Sequence, residues 1–199
     1  MSGLRDGVPE AHRALVRKVD AFERDVRSRR ASDMACRSGC SACCRVQLTV
    51  CDVEAALVRE GLAMLDADAR ARLDARLDGG SEGAPCVFLE GDGRCAIYAS
   101  RPLVCRTQGL PLRYPTGILP VEATLARGRG TGEPITWCPL NFTQASPGAD
   151  DVLDAARVDA MLALSNREAG GHPERRTALA DLAREERHAP TRPGGLDRR

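Results

Sequence analysis

The sequence predicts a mainly helical α+β fold, a small irregular domain with only a few short strands. Three observations carry that expectation. Apolar residues recur every three or four positions in four separate stretches, the period of an amphipathic helix. Short apolar runs at 86–89 and 95–98 flank an Asp-Gly pair, which is a hairpin signal. Between the first two helical stretches lies Cys36-Arg37-Ser38-Gly39-Cys40-Ser41-Ala42-Cys43-Cys44, four thiols in nine residues. A buried cysteine can act as a small hydrophobe, but these four are interleaved with Arg, Ser and Gly. Loops of two to four residues between ligands let a chain wrap one ion, with sulfur at about 2.3 Å. Gly39 precedes Cys40, where a tight turn calls for positive φ. The domain is therefore expected to be built around a cysteine-ligated metal site.

The elements follow in order. Val8, Ala11, Leu15, Val19, Phe22 and Val26 predict a helix from Val8 to about Arg30, with Pro9 in its first turn. Its charged face reads as solvated surface, and His12 as a surface residue. After the cysteine knuckle, Val46-Gln47-Leu48 reads as extended. Thr49 is the expected cap of a second helix, with Asp52 completing a capping-box-like start. That helix carries Val53, Ala56 and Leu57 and stops at Gly61. Cys51 falls in its first turn. A helix start lowers a thiol pKa, so Cys51 reads as a reactive thiol or, more simply, as a small packed residue. Leu65, Ala69, Leu73 and Leu77 predict a third helix, opened by Asp66 or Asp68 and ended by Gly79-Gly80.

A regular two-residue hairpin at Asp92-Gly93 would pair Cys95 with Glu90. Cys86 would then lie four residues along the strand, about 13 Å away, too far to share one tetrahedral ion. Either the hairpin is irregular or the two thiols serve different sites. Pro102 starts a short helix that presents Cys105 between Arg101 and Arg106. Residues 107–132 read as irregular or β structure, and Gly128–Gly132 as a flexible turn without the lysine of a phosphate loop. Asp150 or Asp151 caps a last helix with Leu153, Ala156, Ala160 and Leu164, closed by Gly170-Gly171. In domain terms, 1–33 is an N-terminal helix packing on the domain, 34–170 the cysteine-cluster domain, and 171–199 a polar, disordered tail with a frayed helix to about Arg187.

Composition narrows the function. The 199 residues carry 29 basic and 28 acidic side chains, a net charge of +1, which gives no general argument for nucleic acid or an anionic membrane, and neither is expected as a partner. No stretch approaches the 18 or so apolar residues of a membrane helix. The N-terminus lacks a secretory apolar run. The expected location is cytoplasmic, where thiols stay reduced and a cysteine-rich chain binds metal rather than forming disulfides. Five of the six aromatics lie between residues 88 and 142, beside the later cysteines.

Setting Cys51 aside, the candidate metal ligands are Cys36, Cys40, Cys43, Cys44, Cys86, Cys95, Cys105 and Cys138. None of the three histidines, 12, 172 and 188, lies near them in sequence. An all-sulfur set selects zinc, copper(I) or iron–sulfur over hard cations. Eight thiols make two four-sulfur sites, or one site with spare redox thiols. Four thiolates on Zn²⁺ carry a net negative charge, as does an iron–sulfur cluster. Arg101 and Arg106, with Arg37 and Arg45, flank the ligand cysteines and can offset it while donating to sulfur.

The run Cys36 to Cys44, then Cys86-Val87-Phe88-Leu89, Gly93-Arg94-Cys95-Ala96-Ile97-Tyr98 and Arg101-Pro102-Leu103-Val104-Cys105-Arg106 resembles the YkgJ-like cysteine-cluster family, the CxxCxxCC domain described as zinc- or iron-chelating. Thr107–Pro111 and Trp137–Phe142 resemble one branch of it, so the likeness covers about residues 34–166. The first gap here is three residues rather than two. The resemblance implies chelation of zinc or iron. Related clusters in flagellin-lysine methylases leave an iron–sulfur reading, such as a 4Fe-4S cluster, open beside zinc. The alternatives are a redox enzyme or modifying-enzyme subunit that uses the cluster, and metal storage or delivery. No Ser/His/Asp set, carboxylate-pair motif or nucleotide loop points to an enzyme independently of the metal, and the question of catalysis stays open.

Overall fold

The computed structural model describes residues 7–80, 84–115, 126–127 and 135–187. It is α+β, about half helical, with short strands. The first helix, α1 (Glu10–Arg29), has Pro9 as its N-cap. Its buried stripe is Val8, His12, Leu15, Val19 and Val26. Ala11, expected in that stripe, is exposed. The steps of four and three residues run through position 12, so the core-facing row includes His12. This corrects the surface reading: His12 is fully buried. The charged face is not all solvated either, because Asp20 is bonded to the buried Arg106 at 2.6 Å.

Thr49 is not a helix cap. Thr49–Val50 form strand β1, and Cys51 is the N-cap of α2 (Asp52–Ala63). The helix also passes through Gly61, which is buried. A Cβ there would meet Ser100 Cβ at 2.6 Å, so this glycine admits a close neighbour instead of ending the helix. Helix α3 (Ala67–Asp78) begins as expected, with Asp66 accepting from the Ala69 N–H at 2.7 Å. Helix α4 (Leu103–Thr107) follows Pro102.

Strands β2 (Leu112–Arg113), β3 (Ala126–Arg127), β4 (Ile135–Trp137) and β5 (Leu153–Asp154) form a sheet in the order β3-β4-β2-β5. Only the β2–β5 pair is parallel. Helix α5 (Ala155–Glu168) is capped by Asp154, not by Asp150 or Asp151. Asp151 instead accepts from Gly148 N–H and pairs with Arg29 and Arg30. The buried row of α5 is Ala155, Ser165 and Asn166, while the expected Ala156, Ala160 and Leu164 face outward. The expected Gly128–Gly132 turn lies outside the described residues.

The segment after 171 is not a simple tail. Thr177–Ala178 form β6, antiparallel to β1. Helix α6 (Leu179–Arg187) buries Leu179, Leu182 and Ala183. They pack with Val50, Val58, Leu62, Leu73, Phe88 and Ile97 in the largest apolar cluster. A second cluster joins Val26, Leu110, Leu112, Trp137, Phe142 and Ala155, and a third joins Leu15, Val19 and Leu103. Cys86 and Cys95 pack against the first of these clusters.

Candidate metal centre

The knuckle is irregular backbone held by turns. Cys40 N–H bonds to Arg37 O at 2.9 Å, and a 3₁₀ turn spans Ala42–Cys44. Gly39 has φ +85°, as its place before Cys40 requires. The hairpin at 90–94 is also irregular. Cys95 bridges to Leu89 rather than pairing with Glu90. Leu89 N–H turns back onto Cys86 O at 2.9 Å, so the chain curls between them instead of extending. That curl removes the separation a straight strand would impose. Cys86 N–H then bonds to Cys44 O at 2.8 Å, joining the hairpin to the knuckle.

Cys36, Cys40, Cys43, Cys44, Cys86, Cys95 and Cys105 line one cleft of about 420 Å³. Cys138 and Cys51 do not line it, although Cys138 is an electrostatic neighbour of Cys36. All nine cysteines are free of disulfides. Among the described residues, no three His, Cys, Asp or Glu side chains converge tightly enough to hold a metal ion as they stand.

The thiols differ in their surroundings. Cys43 donates to Cys44; this bond, then burial, raises the Cys43 pKa, and the same bond lowers that of Cys44 against the opposing effect of burial. Burial pushes Cys105 up to about 12, with further elevation from the neighbouring Cys86 and Cys95. Burial also raises Cys36, Cys86 and Cys95. Cys51 is a packed residue: burial and then the Glu54 carboxylate push its pKa up to about 11, overriding any helix-start effect. Its thiol donates to Glu54 Oε2 at 3.7 Å, and Glu54 Oε1 accepts the Leu103 N–H at the start of α4.

The two flanking arginines divide their work. Arg106 is fully committed. Its Nε donates to Arg101 O, its Nη1 to both Asp20 oxygens, and its Nη2 to Ala99 O. It locks α4 to α1. Arg101 lies over the Tyr98 ring at 3.7 Å and lowers the pKa of Cys43, Cys95 and Cys105. Its Nε is buried without a hydrogen-bond partner among the described residues. Arg37 and Arg45 are exposed.

Two further residues escaped the sequence reading. Asn141 is buried and donates from Nδ2 to Cys36 Sγ at 3.3 Å. Arg76 lowers the pKa of Cys86 and has a buried Nη2 without a partner among the described residues. Asn141 was visible as part of the run ending at Phe142, but nothing in that run says that its amide meets a thiol. Arg76 sits on the charged side of α3 and carried no signal.

Residues 35–118 match the CxxCxxCC family, described as a putative zinc- or iron-chelating domain. The matched segment holds seven of the eight candidate ligands and Arg101, and it ends before Cys138 and Asn141. No curated protein and no solved structure matches the chain. The donor set suits the description of the CxxCxxCC domain. It is all sulfur, which selects borderline and soft metals. The partnerless Arg101 Nε beside those sulfurs suits a negatively charged thiolate group, because a buried donor left unmatched is costly. No helix of the described residues is long and apolar enough to cross a membrane.

Proposed function

We propose that the chain binds zinc or iron through cysteine thiolates, with Cys36, Cys40, Cys43, Cys44, Cys86, Cys95, Cys105 and Cys138 as ligands. The observation that carries this reading is the cleft itself. Seven of these thiols face one space, from segments as far apart as the knuckle and α4. Their partly raised pKa values disfavour seven free thiolates there, and a cation removes that obstacle by replacing protons. Arg101 orients toward the thiolates and offsets their charge, while Arg106 holds α4, and with it Cys105, in position. Zinc in such a set supplies structural cross-linking, and an iron–sulfur cluster supplies electron transfer. The reading fits a reducing compartment such as the cytoplasm, where cysteines stay available as metal ligands.

Anaerobic purification followed by elemental analysis and a visible spectrum tests this. Bound zinc with a colourless protein, or bound iron with a brown one, is the expected result, and the colour separates the two. Protein that carries neither metal, and takes up neither on reconstitution under reducing conditions, overturns the reading.

A further inference from the structure

The seven thiols of the one cleft, with Cys138 beside it, are held by two different parts of the chain. Asn141 organises the first. Its Oδ1 accepts the Ala35 N–H at 2.8 Å, its Nδ2 donates to Cys36 Sγ at 3.3 Å and to Gly109 O at 2.7 Å, and its backbone N–H bonds to Cys138 O at 2.9 Å. Phe142 N–H closes the same join on Asp33 O at 2.7 Å. One buried amide thus ties Cys36 to the turn that carries Cys138. Cys40 belongs to this side as well. Its loop shares a second cavity with Leu140 and Thr143 of that turn. The thiol neighbours of Cys36 are Cys138 and Cys40, with Arg27 as the nearby cation.

The second group is held by the hairpin and α4. Cys86 is bonded through its backbone to Cys44, and the Leu89–Cys95 bridge brings Cys95 back beside Cys86. Cys44 has Cys43, Cys86, Cys105 and Cys95 as thiol neighbours, and Cys105 has Cys86, Cys95 and Cys43. The two guanidiniums with unmatched buried nitrogens, Arg76 and Arg101, both border this group.

From this division we infer that the chain holds two separate metal centres, one of Cys36, Cys40 and Cys138, the other drawn from Cys43, Cys44, Cys86, Cys95 and Cys105. The inference rests on the chelation reading above. Charge fits the second centre: a dication with four thiolates is a dianion, and Arg76 and Arg101 each border that group with a buried nitrogen that has no partner among the described residues. Arg27, beside Cys36, is already paired with Glu23. Three protein ligands also leave a coordination position open, the arrangement of sites that bind or activate a further ligand. Asn141 is a positioning residue for the first centre, fixing the Cys36 sulfur through a hydrogen bond.

Zinc is the probe. Full-length protein, stripped under anaerobic reducing conditions, is titrated with zinc, and bound metal per chain is measured. Wild type should bind two zinc ions. Cys138→Ser should bind one, as should the chain carrying Cys86→Ser, Cys95→Ser and Cys105→Ser together, which leaves its centre two thiols, and combining all four changes should leave none. Asn141→Ala should weaken only the ion lost in Cys138→Ser, by about 10–100-fold. Since a cysteine variant can lose its fold, cadmium-loaded wild type provides a second measurement, with one NMR resonance expected per centre. Wild type that takes up neither zinc nor, on parallel reconstitution, iron overturns the chelation reading itself, and one that takes up iron but no zinc overturns the two-centre inference alone. A single zinc, a single cadmium resonance, or total metal loss from Cys138→Ser with unchanged circular dichroism overturns the two-centre inference alone.

Discussion

Gly93 and Gly39 pack backbone to backbone: a Cβ on Gly93 would lie 2.4 Å from the Gly39 carbonyl oxygen. Both residues have positive φ, +81° and +85°. The hairpin turn is thereby seated on the knuckle, with no side chain between the two cysteine-bearing loops. Gly93→Ala adds a clash to a left-handed backbone that costs an L-residue about 1–2 kcal/mol by itself. We expect about 3 kcal/mol of destabilisation in urea unfolding, together with weaker metal retention. An unchanged unfolding midpoint would show that the two loops do not need this contact.

Acid should act on His12. Burial, reinforced by the charges of Arg106 and Arg13, lowers its pKa from 6.5 to about 4. The unfolded chain takes up this proton near pH 6.5 and the folded chain only near pH 4. Between these values the unfolded state holds more protons, so stability is present above pH 6.5 and is lost as pH falls through the window. The difference corresponds to about 3 kcal/mol. Both ring nitrogens lack partners among the described residues, so His12→Leu removes the titration without breaking a bond. The variant should lose less stability than wild type between pH 7 and pH 4. Parallel profiles for the two proteins would count against it.

Helix α6 should matter to the fold. Leu182 is fully buried in the largest apolar cluster. Leu182→Ala should cost about 3 kcal/mol, from lost transfer energy and the residual cavity. Deleting residues 172–199, harmless if the segment were only a polar tail, should abolish cooperative thermal unfolding. A truncated chain that melts like the full one would separate α6 from the core.

Cys51 and Cys105 should behave differently. Cys51 is buried against Glu54 and does not line the cleft, whereas Cys105 does. Cys51→Ser should therefore keep its bound metal per chain, and Cys105→Ser should lose metal. Elemental analysis of the two purified variants decides; a metal-free Cys51→Ser, or a fully loaded Cys105→Ser, reverses the assignment.

Linear spacing was enough for much of this. The four helical stretches, the Asp66 cap, the Pro102 start of α4 and the positive φ at Gly39 are local, because each depends on residues within a turn or two. The cysteine cluster was legible for the same reason, since ligand loops are short. Spacing failed where a distant neighbour decides. Thr49 looked like a cap until β6 arrived to pair with it, and Leu179 and Leu182 looked like part of a frayed end because the residues they pack on, from Val50 to Ile97, are far away in the chain. His12 was misread since a polar residue on an apolar row is judged by what covers it, here the segment carrying Arg106. Whether Cys86 could approach Cys95 depended on a curl at 86–89 that no residue type demands. The roles of Asn141 and Arg76 lay beyond sequence altogether. A hydrogen bond to a thiol, or an unmatched nitrogen beside one, exists only after folding has brought together side chains that the chain keeps apart.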